Sequence, residues 1–149
     1  MRRLVKFWSL PKDERRLLRE AGILLLLSHA CIKVVAFKHI DRFLRAGRKD
    51  HFESGIVHDE EIKLVRRSVS RAANILPWRS QCLSRSIAEF IMLRRRGIPA
   101  VMFAGVRFSG DSSLDAHAWV DTGLGVTDAR SEGAGFTTVM SIGTGAVER

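Results

Sequence analysis

The sequence predicts an α+β protein in which helices come first and a last helix packs on a small antiparallel sheet. Three observations predict it. Apolar residues recur at helical spacing through two long stretches, 12–37 and 59–76. A third apolar run, from Leu83 to Leu93, ends in three arginines and a glycine. From Ala100 onward, short apolar runs alternate with polar and glycine-containing turns, as strands do.

The first helix starts after Ser9, where Pro11 suits the first turn and Asp13 and Glu14 face the positive end of the dipole. It continues through RRLLREAGILLLLSHACIKVVAF, with Gly22 as the point where a break is expected. The window 21–37 is about as long as a membrane span, but Ser28, His29 and Lys33 interrupt it. It reads as a buried helix, with peripheral membrane contact as the remaining membrane role. A short amphipathic pattern over 39–45 and a polar loop over 46–55 follow. Asp59 opens the second helix, whose Ile62, Val65, Val69, Ala72, Ala73 and Leu76 share one face, and Pro77 ends it. The third helix begins at or beside Cys82, sets Leu83, Ile87, Phe90, Ile91 and Leu93 to one side, and stops at Gly97. Strands are expected over AVMFAGVRF, AHAWVDT and, after a turn at Gly123 and Gly125, over GVTDA, which together make a meander.

A chain of 149 residues with 46% apolar content is most simply one domain with a real core. Within it, 1–58 is read as a helical segment that packs on the core or docks partners, and 59–149 as the core itself. Lys and Arg outnumber Asp and Glu by 25 to 16, a net charge of +9, which favours an acidic partner. The N-terminus has no apolar stretch and cleavage site of the signal-peptide kind. The two cysteines, Cys31 and Cys82, lie in unlike contexts, which argues against a disulfide framework and for a cytoplasmic protein.

Cys82 sits in RSQCLSRS, a polar and cationic setting at a helix start. A helix N-terminus and nearby cations such as Arg79 and Arg85 favour the thiolate, which is the nucleophile in cysteine catalysis. Such a thiolate needs an imidazole to take up and return a proton. His117 lies in a predicted strand between two alanines, so it is expected to face the helix with Trp119 beside it as a shield. Asp128, on the strand after the glycine turn, is the choice for fixing the imidazole, ahead of Asp115 and Asp121. Taken singly, the cysteine can be a small core residue, the histidine a packed strand residue and the aspartate a turn residue. Their order along the chain carries more: helix-start Cys, strand His, next-strand Asp.

Other patterns point nowhere specific. His29 and Cys31 with His39, His51 and His58 match no zinc spacing, and His29 and Cys31 read as core residues. The arginines of 66–71 and 94–96 lack a recognition motif or stacking aromatics, which argues against nucleic acid. They read as solvated helix faces or a docking surface for an acidic peptide. No glycine pattern forms a phosphate loop.

The string CLSRSIAEFIMLRRRGIPAVMFAGVRF, followed by AHAWVD, a glycine turn and an aspartate, resembles the transglutaminase-like peptidase domain of lasso-peptide maturation B proteins. The resemblance covers about 76–140, and C-L-x-R-S, L-R-R-R-G-I-P-A, G-V-R and A-H-A-W-V are its most specific pieces. Asp121 stands where the family often has glutamate, and Leu114 and Asp115 where proline or a phenylalanine-like residue is common. The resemblance implies a papain/transglutaminase-like core and a cysteine peptidase with Cys82, His117 and Asp128 as its triad. Trp119, Gln81 and Arg85 are expected to contact the substrate, the Cys82 backbone N–H to be an oxyanion donor, and no metal or cofactor is expected. The implied substrate is the leader of a lasso precursor, with a pocket for a threonine near Cys82. The implied partners are a separate leader-binding protein acting in trans, for which this chain has no module ahead of its helices, and an ATP-dependent macrolactam synthetase resembling asparagine synthetase. A non-catalytic basic peptide-binding or membrane-associated scaffold is the alternative.

Overall fold

Pro11 hands its carbonyl to the N–H of Arg15 at 3.0 Å, and from there the chain winds into α1, Lys12–Val34. The structure is a computed structural model that describes residues 11–34, 59–76, 82–108, 113–123 and 135–143. The expected elements over 39–45, 46–55 and 125–129 lie outside the described residues. The break expected at Gly22 does not occur. A helical glycine costs about 1 kcal/mol relative to alanine, and Leu18 and Leu25, buried on either side of it, each contribute more than that by leaving water. The window 21–37 is also less buried than expected. Leu18, Ala21, Leu25 and Ser28 face inward, while Ile23, Leu26, Leu27 and Val34 are exposed.

Helix α2, Asp59–Ile75, opens with three acids in its first turn and buries Ile62, Val65, Val69, Ala72 and Ala73, the face its sequence periodicity marks. Helix α3, Cys82–Arg94, is buried nearly all round rather than on one side: Ser84, Ser86, Ile87, Ala88, Phe90, Met92 and Leu93 are all inside. The cause is its place in the middle, with α1 and α2 on one flank and the sheet on the other. Small side chains at 84, 86 and 88 allow that close approach. The C-terminus of α3 is closed by a Schellman motif. Gly97, at φ 69°, gives its N–H to Arg94 O, while the Ile98 N–H reaches Leu93 O at 3.1 Å and Ile98 itself is buried.

Three strands follow: β1, Val101–Phe108; β2, Leu114–Asp121; and β3, Thr137–Ile142. They form one antiparallel sheet in the order β2-β1-β3. β3 is a strand that the sequence reading does not expect; the third strand expected over GVTDA lies outside the described residues. The outer edge of β2 is already taken by the helices, because Arg66 of α2 donates to Val120 O at 2.9 Å and the Cys82 thiol lies on Ala116 O. The free edge of β1 is therefore the one that β3 joins. Met102, Val120 and Ile142 cross from the sheet and join the helical residues Val65, Phe90 and Leu93 in one buried core. Helices and a small antiparallel sheet around one apolar centre make the α+β architecture that the sequence predicts.

Candidate active site

The site is built where the start of α3 meets the edge of β2. Cys82 is the first residue of α3 and is half-buried. Its thiol points at Ala116 O, 3.8 Å away, which places it one residue along the strand from His117. As the helix's first residue, Cys82 belongs to the turn whose N–H groups have no partner within the helix. Those donors are the means by which a helix start steadies an oxyanion formed beside it.

His117 does not face the helical core as expected. In β2 the even-numbered residues turn toward the helices, as Val120 shows by joining their core, so His117 and Trp119 lie on the opposite face. The physical reason is size. Alanine and valine fit beneath the closely packed α3, whereas two ring side chains need the open face of the sheet. There the Trp119 ring stacks on Phe103 with centroids 5.6 Å apart, and the His117 imidazole lies nearly parallel to the indole at 6.1 Å. Phe136, just before β3, tilts against the imidazole at 5.3 Å. Trp119 is 8% exposed, so the layer is closed on that side. The three rings form a triangle, with the Phe136 centroid also 6.5 Å from that of Trp119, while the thiol lies at the strand edge on Ala116 O.

Gly105 makes this layer fit. It stands directly opposite His117 in the β1–β2 ladder, and a Cβ there would lie 3.1 Å from the Trp119 ring, 3.1 Å from Phe136 Cβ and 3.0 Å from Thr137 O. Beyond it, the Arg107 guanidinium covers the outer side of the Phe136 ring at 4.5 Å and pairs with Asp115 at 3.1 Å. Phe136 is the group that sequence reasoning missed. The available signal was TTVMSI, a β-branched run set between glycines in the tail.

The remaining expected site residues divide. Arg85 donates to Ser70 Oγ at 2.9 Å, which ties the exposed side of α3 to α2. Gln81 and Asp128 lie outside the described residues. Of the two nearer carboxylates, Asp115 is paired with Arg107, and Asp121 Oδ1 accepts the Gly123 N–H at 2.9 Å to shape the turn. Among the described residues, no group of His, Cys, Asp and Glu is arranged to hold a metal ion. Cys31, expected in the core, is exposed on α1, and His29 is half-buried.

Some of the arginines expected on solvated faces, Arg67, Arg71 and Arg95, are exposed, while Arg66 and Arg96 are half-buried and join helices. Arg66 meets Glu89 of α3 at 2.6 Å while bonding Val120 O, so one side chain joins α2, α3 and β2. Arg96 reaches Glu20 of α1 at 2.7 Å and Glu61 of α2 at 3.7 Å, and Arg71 pairs with Glu14 at 3.0 Å. Their long stems cross between helices whose facing surfaces carry the matching acids.

Cys82, at the start of α3, thus lies over the backbone of the strand that carries His117. No curated protein and no solved structure shows a significant match to the chain. The family model described as the transglutaminase-like superfamily matches residues 24–141, which begins inside α1, takes in α2, α3, β1 and β2, and ends one residue before the end of β3. The chain belongs to the transglutaminase-like superfamily.

Proposed function

We propose that the protein is a cysteine peptidase that removes the leader from a lasso-peptide precursor. The observation that carries the reading is the Cys82 thiol, placed at a helix start and directed at the strand carbonyl next to His117. The motifs C-L-x-R-S and A-H-A-W-V support the finer assignment, since they hold both residues in the setting found in maturation B proteins.

In this reading the Cys82 sulfur attacks the carbonyl carbon at the leader–core junction, and the proton of the thiol passes to His117. The oxyanion is met by N–H groups at the start of α3. Collapse breaks the C–N bond, and His117 protonates the departing core amine, leaving the leader as a thioester on Cys82. His117 then takes a proton from water as the water attacks, which releases the leader as a carboxylic acid and restores the thiol. Asp128 orients the imidazole. The engagement of Asp115 with Arg107 and of Asp121 with its turn supports giving that role to Asp128. A leader-binding protein in trans presents the precursor, and an ATP-dependent macrolactam synthetase consumes the freed amine.

The test is cleavage of a precursor, with its leader-binding protein, followed by mass spectrometry. Wild-type protein is expected to yield a leader ending in a free acid together with an intact core, and Cys82→Ala to yield neither. Cleavage at the wild-type rate by Cys82→Ala would overturn the reading. A leader product carrying an added amine would assign acyl transfer instead of hydrolysis.

A further inference from the structure

Helix α1 turns two different surfaces outward along one line. At about 100° per residue, Lys12, Arg16, Arg19, Ile23, Leu26, Leu27, Ala30 and Val34 fall within an arc of about 100°. All eight are exposed, and the four large aliphatics are 57% (Ile23), 46% (Leu26), 56% (Leu27) and 85% (Val34) accessible. The first two turns of this face are basic and the last three are aliphatic. The acids of α1 do not offset that charge. Glu14 is held by Arg71, and Glu20 by Arg95 and Arg96, which leaves Asp13 as the one exposed carboxylate of the helix.

We propose that this face of α1 rests on an anionic lipid surface, with Lys12, Arg16 and Arg19 at the phosphates and Ile23, Leu26, Leu27 and Val34 entering the acyl boundary. The proposal does not depend on the peptidase reading. A convex aliphatic ridge with cations at one end suits an interfacial helix, whose apolar side sinks about 5–10 Å below the headgroups. No described helix is long and apolar enough to cross a membrane, so contact of this kind stays peripheral. Charge argues against the other occupants. In a symmetric antiparallel pair of α1 helices, the basic turns of one copy would lie on the aliphatic turns of the other, and in a parallel pair like charges would meet. Residues 35–58 carry five Lys and Arg against three Asp and Glu, so that segment brings no complementary charge.

Cys31 lies at the margin of the stripe and is exposed, which makes it a native reporter. The protein, carrying Cys82→Ser, is labelled at Cys31 with an environment-sensitive dye and mixed with phosphatidylglycerol–phosphatidylcholine vesicles or with phosphatidylcholine alone. Binding and a blue shift are expected with the anionic vesicles only, both weakening with added salt. Removing two cations with Arg16→Gln and Arg19→Gln is expected to weaken binding by about fivefold per charge. Leu26→Ser with Leu27→Ser is expected to abolish the blue shift while the thermal melt stays unchanged. The proposal is overturned if anionic vesicles are not bound, or if the serine variant binds and shifts like its parent. It is equally overturned if the stripe instead drives concentration-dependent dimerisation in the absence of lipid.

Discussion

Gly105 faces His117 directly across the β1–β2 ladder, and the volume a side chain at 105 would fill is held by Trp119, Phe136 and the carbonyl of Thr137. Two of those neighbours cannot swing aside, because one is backbone and the other is the root of a side chain. Gly105→Ala is therefore expected to destabilise the protein by about 1–3 kcal/mol, the usual range for overpacking. Urea denaturation gives the stability. The ring-proton shifts of His117 and Trp119 should move more than those of helical core residues, and unchanged ring shifts would contradict this account.

The Arg66–Glu89 pair predicts a pattern that distinguishes a clamp from an ornamental surface bridge. The two side chains are 21% and 18% exposed and 2.6 Å apart, and Arg66 also holds the edge carbonyl of Val120. Glu89→Ala leaves a largely enclosed guanidinium without its counter-charge, at an expected cost of about 2–3 kcal/mol. Replacing both residues with apolar ones, Arg66→Met with Glu89→Leu, should cost less than the sum of the two single changes. Additive single and double changes, read from chemical melts, would show that the pair is not coupled.

The distinction between local and long-range information decides what was legible in the sequence. Helix starts and stops were readable because their causes are local: the acids at 59–61, the Gly97 cap and Pro11 each act within a turn of where they stand. The position of Cys82 at the start of α3 was readable for the same reason. The face that His117 takes was not, because alternation along a strand fixes which residues share a face but not which face meets the helices. That choice belongs to Met102 and Val120 entering the helical core and to Gly105 making room for rings behind them. The partner of β1 was equally hidden, since it depends on α2 and α3 occupying the edge of β2. Arginines looked like solvated charge because their acids, at 14, 20, 61 and 89, are distant in sequence or lie on other helices.

Thr122 offers a test of the opposite sign. It is buried just after β2, and among the described residues its hydroxyl has no hydrogen-bond partner. An enclosed, unpaired hydroxyl carries a desolvation cost that a methyl of similar shape does not. Thr122→Val should stabilise the fold by about 1 kcal/mol, a rise in Tm of about 2–4 °C for a chain of this size. A lower Tm would mean that the hydroxyl is satisfied in solution by a group or water that the valine loses.

Phe136 connects the fold to the proposed chemistry. Its ring is held between the Arg107 guanidinium at 4.5 Å and the His117 imidazole at 5.3 Å, so it limits where the imidazole can go. It carries no proton and is a positioning residue. Phe136→Ala should leave precursor binding nearly intact while lowering kcat by about tenfold to a hundredfold, the scale on which a misplaced catalytic group lowers rates. Phe136→Tyr, which keeps the ring, should recover most of the loss, and Phe136→Leu, which keeps bulk without a flat face, should recover less. Equal melting temperatures for the tyrosine and leucine variants would assign their difference in kcat to imidazole placement. A loss confined to KM would instead move Phe136 from the histidine's support to the substrate's binding surface.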